Sequence, residues 1–180
     1  RRSFDKMTLR QRLMVYAMDL DLTTTLFGYE MFAPIIVGPV SSQTHLHADG
    51  QLGTARGASA AKAVMVATND SDHPIDEIVT VSDEPVWYQV YADSTTAQDD
   101  VSRSADAGCQ AVCVTIGVSS NRTPVATDWS VVEQMSQAVD VPIVVKGIMN
   151  VNDAQTAVDR GAQGVIISNH GGLVGSEGAL

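Results

Sequence analysis

From Pro34 onward the chain repeats a two-part rhythm: a short, nearly unbroken apolar run, then a longer stretch of helix-forming composition. The runs are PIIVGPV (34–40), VMVAT (64–68), VWYQVY (86–91), AVCVTIG (111–117), PIVVKG (142–147) and GVIISNH (164–170). Apolar residues at successive rather than alternate positions suit parallel strands covered on both faces. Between the runs, residues 49–63 are rich in Ala, the best helix former. Residues 73–82 place Pro74 near a helix start, where its missing N–H is harmless. Residues 94–108 open on Ser and Thr caps and stop at Gly108; 127–140 and 150–161 follow the same grammar, the latter stopping at Gly161. Residues 1–33 are irregular, and the turn-rich stretch from Thr23 to Pro34 predicts a small hairpin around Gly28 and Tyr29.

Strand and helix thus alternate every 22 to 31 residues, which predicts right-handed crossovers and a parallel sheet over 34–180. Alternation alone does not separate a closed barrel from an open doubly wound sheet. Two features favour a TIM-type (β/α)8 barrel. No Gly-x-Gly-x-x-Gly follows the first run. Polar, reactive residues also recur where run after run ends: Ser41, Thr68, Gln89, Tyr91, Thr115, Lys146, Ser168 and His170. That rim is where barrels build active sites. Six strands are too few to close such a barrel, so two further units are expected beyond Leu180.

Composition narrows the function classes. With 44% apolar residues, the 180-residue chain can bury a core. A net charge of −10 argues against a nucleic-acid partner. No apolar stretch approaches the roughly 18 residues a membrane span needs. Cys109 and Cys113 have neither Cys-x-x-Cys spacing nor nearby His ligands, so they read as buried, inert thiols rather than a metal or redox site. The chain starts at Arg1 without Met or an apolar signal, which points to a missing or processed N-terminus. The expected compartment is the cytoplasm.

The blocks MDLDLTTTLFG, PIIVGPVSSQTHLHADGQLGTARGASAA, YQVY, VPIVVKGI and GVIISNHGG stand in this order through most of 1–172. Together they resemble the FMN-dependent L-2-hydroxy acid oxidases and dehydrogenases. VKG alone is weak; VKGI followed some twenty residues later by SNHGG is specific. The resemblance implies FMN as cofactor, a small 2-hydroxy acid as substrate and a homo-oligomer. It implies that Pro39, Val40 and Ser41 line one face of the flavin, and that Thr68, Gln89 and Thr115 hydrogen-bond its polar edge. Lys146 would sit at the flavin N1–C2 carbonyl region, where a cation stabilises developing negative charge, and Ser168 would also bind the cofactor. His170 would be the catalytic base and Tyr91 a substrate hydrogen-bond donor.

Each residue also has a plainer reading. Lys146 could be a salt-bridged structural lysine, His170 a loop cap, and Tyr91 a packing residue, the role expected of Trp87 and Tyr88. His45, His47 and His73 read as loop-structuring residues.

The chain departs from the family at three points. Leu173 stands where the family has a substrate-binding arginine, whose bidentate grip a leucine cannot replace. Gly117 stands where the family has an aspartate that orients the histidine. The long loop after the fourth run is cut to about ten residues, with Arg122 as the candidate replacement for its arginine. Two other classes of function therefore compete: a degenerate relative acting as a flavin-binding or structural unit, and a different phosphate- or FMN-binding barrel enzyme, against which SNHGG argues.

Overall fold

A computed structural model describes residues 6–8, 10, 20–126 and 128–172. Two short strands, β1 (Thr24–Leu26) and β2 (Tyr29–Met31), pair as an antiparallel hairpin. Leu26 pairs with Tyr29, so Phe27 and Gly28 form the turn, one residue earlier than the sequence suggests. Six strands then make one parallel sheet: β3 (Ile36–Val37), β4 (Val64–Thr68), β5 (Val86–Tyr91), β6 (Ala111–Thr115), β7 (Ile143–Ile148) and β8 (Gly164–Ile167). Helices α1 (Gly50–Ala60), α2 (Ile75–Thr80), α3 (Ala97–Asp106), α4 (Trp129–Ala138) and α5 (Val151–Asp159) connect β4 through β8 and join β3 to β4.

The order across the sheet is β3-β4-β5-β6-β7-β8, the order of the chain itself. A doubly wound sheet reverses direction at a switch point; none occurs here. All five helices also pack on one face. Ala55, Ile78, Val101, Met135 and Ala157, one from each helix, share a cluster with the outward strand residues Met65, Val90, Val112, Val114 and Val145. The opposite face holds Val64, Val66, Trp87, Ala111, Cys113 and Val144, closed off by Met31, Leu26 and Tyr29 of the hairpin. Phe27 packs its ring 5.6 Å from that of Trp87. A concave, self-filling inner face with helices outside is a partial (β/α) barrel, as the strand-end pattern anticipates.

The run 34–40 yields only the two-residue β3. Pro34 and Pro39 lack the N–H that a ladder needs, which confines pairing to the residues between them. β3 and β8 are the two edges, and an apolar hollow of about 360 Å³ lies between them, lined by Ile36, Val66, Trp87, Val144 and Ile166. Helix starts are fixed locally. Asn150 Oδ1 accepts from the Asp153 N–H at 2.9 Å, and Asp128 Oδ1 accepts from Ser130 N–H at 2.9 Å. Gly161, at φ +93, ends α5 and lets Ala162 N–H reach back to Ala157 O at 3.0 Å. The two thiols are buried and unpaired, and burial pushes both up to about 12. Inert packing is their role. No described helix is long and apolar enough to cross a membrane.

Candidate functional site

Alternation along each strand decides which residues reach the inner face. The inner row of β4 ends in Thr68, that of β5 in Gln89 and Tyr91, that of β6 in Thr115 and that of β7 in Lys146; Ser168 follows β8. Register sets them side by side: Thr68 pairs with Gln89, Tyr91 with Thr115, and Thr115 with Lys146. Apolar residues fill the inner row below them, so polarity is confined to the strand ends. Above these ends lies a cavity of about 640 Å³, lined among others by Pro39, Val40, Ser41, Asp70, Tyr91, Arg122, Lys146 and His170. Its size is that of a cofactor or small-ligand site. The structure therefore gathers Pro39, Val40, Ser41, Tyr91, Lys146 and His170 around one cavity; Thr68, Gln89 and Thr115 lie buried at the strand ends nearby and do not line it.

These buried strand ends carry unspent hydrogen-bonding capacity. Gln89 is 3% and Thr115 2% exposed, yet Gln89 Nε2 and Thr115 Oγ1 have no partner. Gln51, reaching in from α1, accepts from the Thr68 N–H at 3.2 Å through Oε1, while its buried Nε2 is likewise unpaired. Thr68 Oγ1 is occupied, accepting from Asp70 N–H at 3.2 Å. A buried unsatisfied donor costs roughly 1–3 kcal/mol, so these three donors mark places where the protein leaves hydrogen bonding unmet. Thr115→Val keeps the shape and removes the orphan. The expected outcome is a ligand-free protein as stable as the parent or about 1 kcal/mol more stable in thermal unfolding.

Lys146 is one of the charges at the site that have no described ion-pair partner. Its Nζ donates to Ser168 Oγ at 3.4 Å and lies 3.3 Å from His170 Nδ1. No carboxylate among the described residues pairs with it. The salt-bridged structural reading of this lysine thus has no described partner behind it. Burial holds the ammonium below the usual lysine range, against a smaller opposing effect of Cys113. Just beyond, Gly147 (φ +120) forms a bulge: Lys146 pairs with Ile166 and Ile148 with Ile167.

His170 sits in a 3-10 turn with φ +54, and its backbone N–H donates to Ser168 Oγ at 3.2 Å. Its Nε2 is 3.1 Å from the Ile116 carbonyl oxygen. Burial, then Lys146, pull its pKa below that of free imidazole, and the Ile116 contact opposes them. A half-buried imidazole, neutral near pH 7 and facing a cavity, is a competent proton acceptor. Arg122 reaches the same cavity from a tight turn over 117–125. There Val118 bridges Pro124, Ser119 N–H donates to Thr123 O at 2.9 Å, and Arg122 N–H donates to Ser119 O at 2.9 Å. Leu173 lies outside the described residues.

The described model of the FMN-dependent dehydrogenases matches residues 1–123 and 118–176. The chain belongs to the FMN-dependent dehydrogenase family. Within this family it is similar to glycolate oxidase of Spinacia oleracea, 26% identical over 217 aligned positions that take in 95% of this chain and 59% of that protein. A peroxisomal (S)-2-hydroxy-acid oxidase of Oryza sativa is 28% identical over 213 positions, 94% of this chain and 58% of the relative. Among solved structures, a mandelate oxidase variant with (S)-mandelic acid superposes with a TM-score of 0.85 at 29% identity, covering 96% of this chain and 58% of that one. A mandelate oxidase variant with an FMN monooxide adduct superposes with a TM-score of 0.80 at 34% identity, covering 89% and 55%. The chain spans under three-fifths of the length of the curated relatives it matches. The two matched pieces overlap at 118–123, in the tight turn after β6, and the 217 aligned positions outnumber the 180 residues of this chain. Family members accordingly carry residues that this one lacks.

Sequence reasoning missed Gln51, Asp70 and Gly147. A glutamine in an Ala- and Gly-rich helix carries no signal of its own. Glycine within a strand pattern is the one available cue, because it marks a bulge or a close backbone approach.

Proposed function

We propose that this chain carries the flavin-facing part of an enzyme that oxidises a small L-2-hydroxy acid, of the lactate or glycolate kind, to its 2-oxo acid, with oxygen or another acceptor taking the electrons. The supporting observation is the pair of buried, unpartnered donors at the strand ends, Gln89 Nε2 and Thr115 Oγ1, together with the Lys146 ammonium, which has no described carboxylate partner. A flavin offers carbonyl and ring-nitrogen acceptors along one edge, and these donors fit that edge. Bound FMN supplies the two-electron acceptor. Pro39, Val40 and Ser41 give the wall for a ring face, Lys146 offsets negative charge at the polar edge, and Ser168 steadies the lysine.

The remaining groups act on the substrate. His170 takes the proton of the 2-hydroxyl, and Tyr91 orients that oxygen by a hydrogen bond. Arg122 is placed to hold the carboxylate from the 117–125 turn. Replacing it with alanine is expected to raise KM at least tenfold with a smaller change in kcat, read by steady-state kinetics. An unchanged KM would assign the carboxylate to another residue. Self-association through the open sheet edges belongs to the same reading.

A second reading is favoured by Gly117 and by the break in the family match at 118–123: a chain that holds FMN without turning over a hydroxy acid. Anaerobic addition of lactate, glycolate or mandelate to the FMN-loaded protein separates the two. Loss of the oxidised-flavin absorbance supports the oxidase; a yellow protein that none of these acids bleaches supports the carrier.

A further inference from the structure

We infer that the Ile116 carbonyl, reachable only because residue 147 has no side chain, locks His170 in the Nε2–H tautomer and makes Nδ1 the nitrogen that accepts a proton. The inference deepens the reading of His170 as base, and rests on it only for its catalytic consequence.

The chemistry of the two partners fixes the tautomer. A backbone carbonyl oxygen only accepts, so Nε2, 3.1 Å from Ile116 O, must carry the hydrogen. An ammonium only donates, so Nδ1, 3.3 Å from Lys146 Nζ, must hold the lone pair. Both contacts demand the same neutral form, which is half-buried with every ring nitrogen satisfied. A proton reaching the ring lands on Nδ1, leaves the Nε2–H donation in place, and converts imidazole to imidazolium.

Gly147 is what permits this arrangement. A Cβ at that position would stand 2.5 Å from Ile116 O and 2.9 Å from His170 Nε2, inside the hydrogen bond itself. The bulge at φ +120 brings the bare backbone there. Gly117, the next residue along from Ile116, offers no carboxylate, so the main chain supplies the acceptor. A neutral carbonyl orients a ring without stabilising its charged form as a carboxylate would. Gly147 and Ile116 are therefore positioning residues. Among the described residues, the charged or titratable groups facing the ring are Lys146 from β7 and, across the cavity, Asp70, Tyr91 and Arg122; Ser168 on its own loop is uncharged.

Long-range proton–nitrogen NMR of flavin-free protein labelled at its four histidines tests this directly, with the His170 signals assigned by their loss in His170→Ala. The parent is expected to show a protonated Nε2 and an unprotonated Nδ1, with a titration midpoint below that of free imidazole. Lys146→Met should keep that signature and raise the midpoint, because the lost ammonium no longer opposes protonation. Gly147→Ala should give tautomer-averaged shifts, because the Ile116 carbonyl no longer selects Nε2 as the protonated nitrogen. A protonated Nδ1 in the parent, or in the Lys146→Met protein if the glycine variant does not fold, would overturn the inference. So would a folded Gly147→Ala protein with unchanged shifts. None of these readings needs flavin or turnover, so failure of the oxidase reading would leave them standing.

Discussion

Replacing His170 with alanine is expected to lower turnover of a 2-hydroxy acid by about 10²–10⁴-fold, the usual worth of a positioned general base, while FMN stays bound. The separation of the two effects follows from the geometry. His170 meets the cavity from the turn after β8, whereas the orphaned donors that suit a flavin edge come from β5 and β6. The measurement is flavin content and anaerobic bleaching rate in the same preparation. The pH dependence carries a sign. With the imidazole held below its ordinary range by burial and by Lys146, the base is already free in weakly acidic solution. Rates should therefore fall only as pH drops below the ordinary histidine range. Joint loss of flavin and activity in His170→Ala would move this residue to a structural role.

Lys146→Met is the second large effect, with a rate of flavin reduction lower by about 10²–10³-fold, the scale seen when one charge-stabilising donor is removed from an active site. The same change should leave the flavin-free protein as stable as before or more so. Lys146 loses hydration on burial and gains no described carboxylate in return, and an apolar side chain of like length escapes that cost. A structural lysine would behave the other way, with stability falling and reduction unaffected. Thermal unfolding of the flavin-free form and rapid-mixing absorbance of the loaded form read the two halves independently.

Much of this was legible before any coordinates. Five of the apolar runs became strands over nearly their whole apolar length; in β4 to β7 burial on both faces leaves little freedom in where a ladder starts and stops, whereas the edge strand β8 leaves Val165 and Ile167 exposed. Polar residues closing those runs, Thr68, Gln89, Tyr91, Thr115 and Lys146, turned out to share the inner row, since a period of two carries the inward face of each strand to its last residue. The first run shrank to Ile36–Val37 because prolines constrain pairing more strongly than apolar content promotes it. What stayed hidden were contacts between elements distant in sequence. Gln51 reaches Thr68 from the helix before β4. His170 meets the Ile116 carbonyl across 54 positions. Neither pairing leaves a local trace, and the glycine that makes the second possible looks like ordinary punctuation at the end of PIVVKG. Gly117 gave the opposite lesson: that it carries no carboxylate is plain in the sequence, and that His170 Nε2 meets the neighbouring Ile116 carbonyl is not.

Titration of FMN into the purified protein and into Thr115→Val, followed by quenching of flavin fluorescence, tests the gathering of these rim residues around a flavin most directly. One FMN should bind per chain of the parent, and the valine variant should bind up to about tenfold more weakly, the worth of one hydrogen bond, although its flavin-free form is no less stable. No uptake by the parent, or equal affinities in the two proteins, would contradict it.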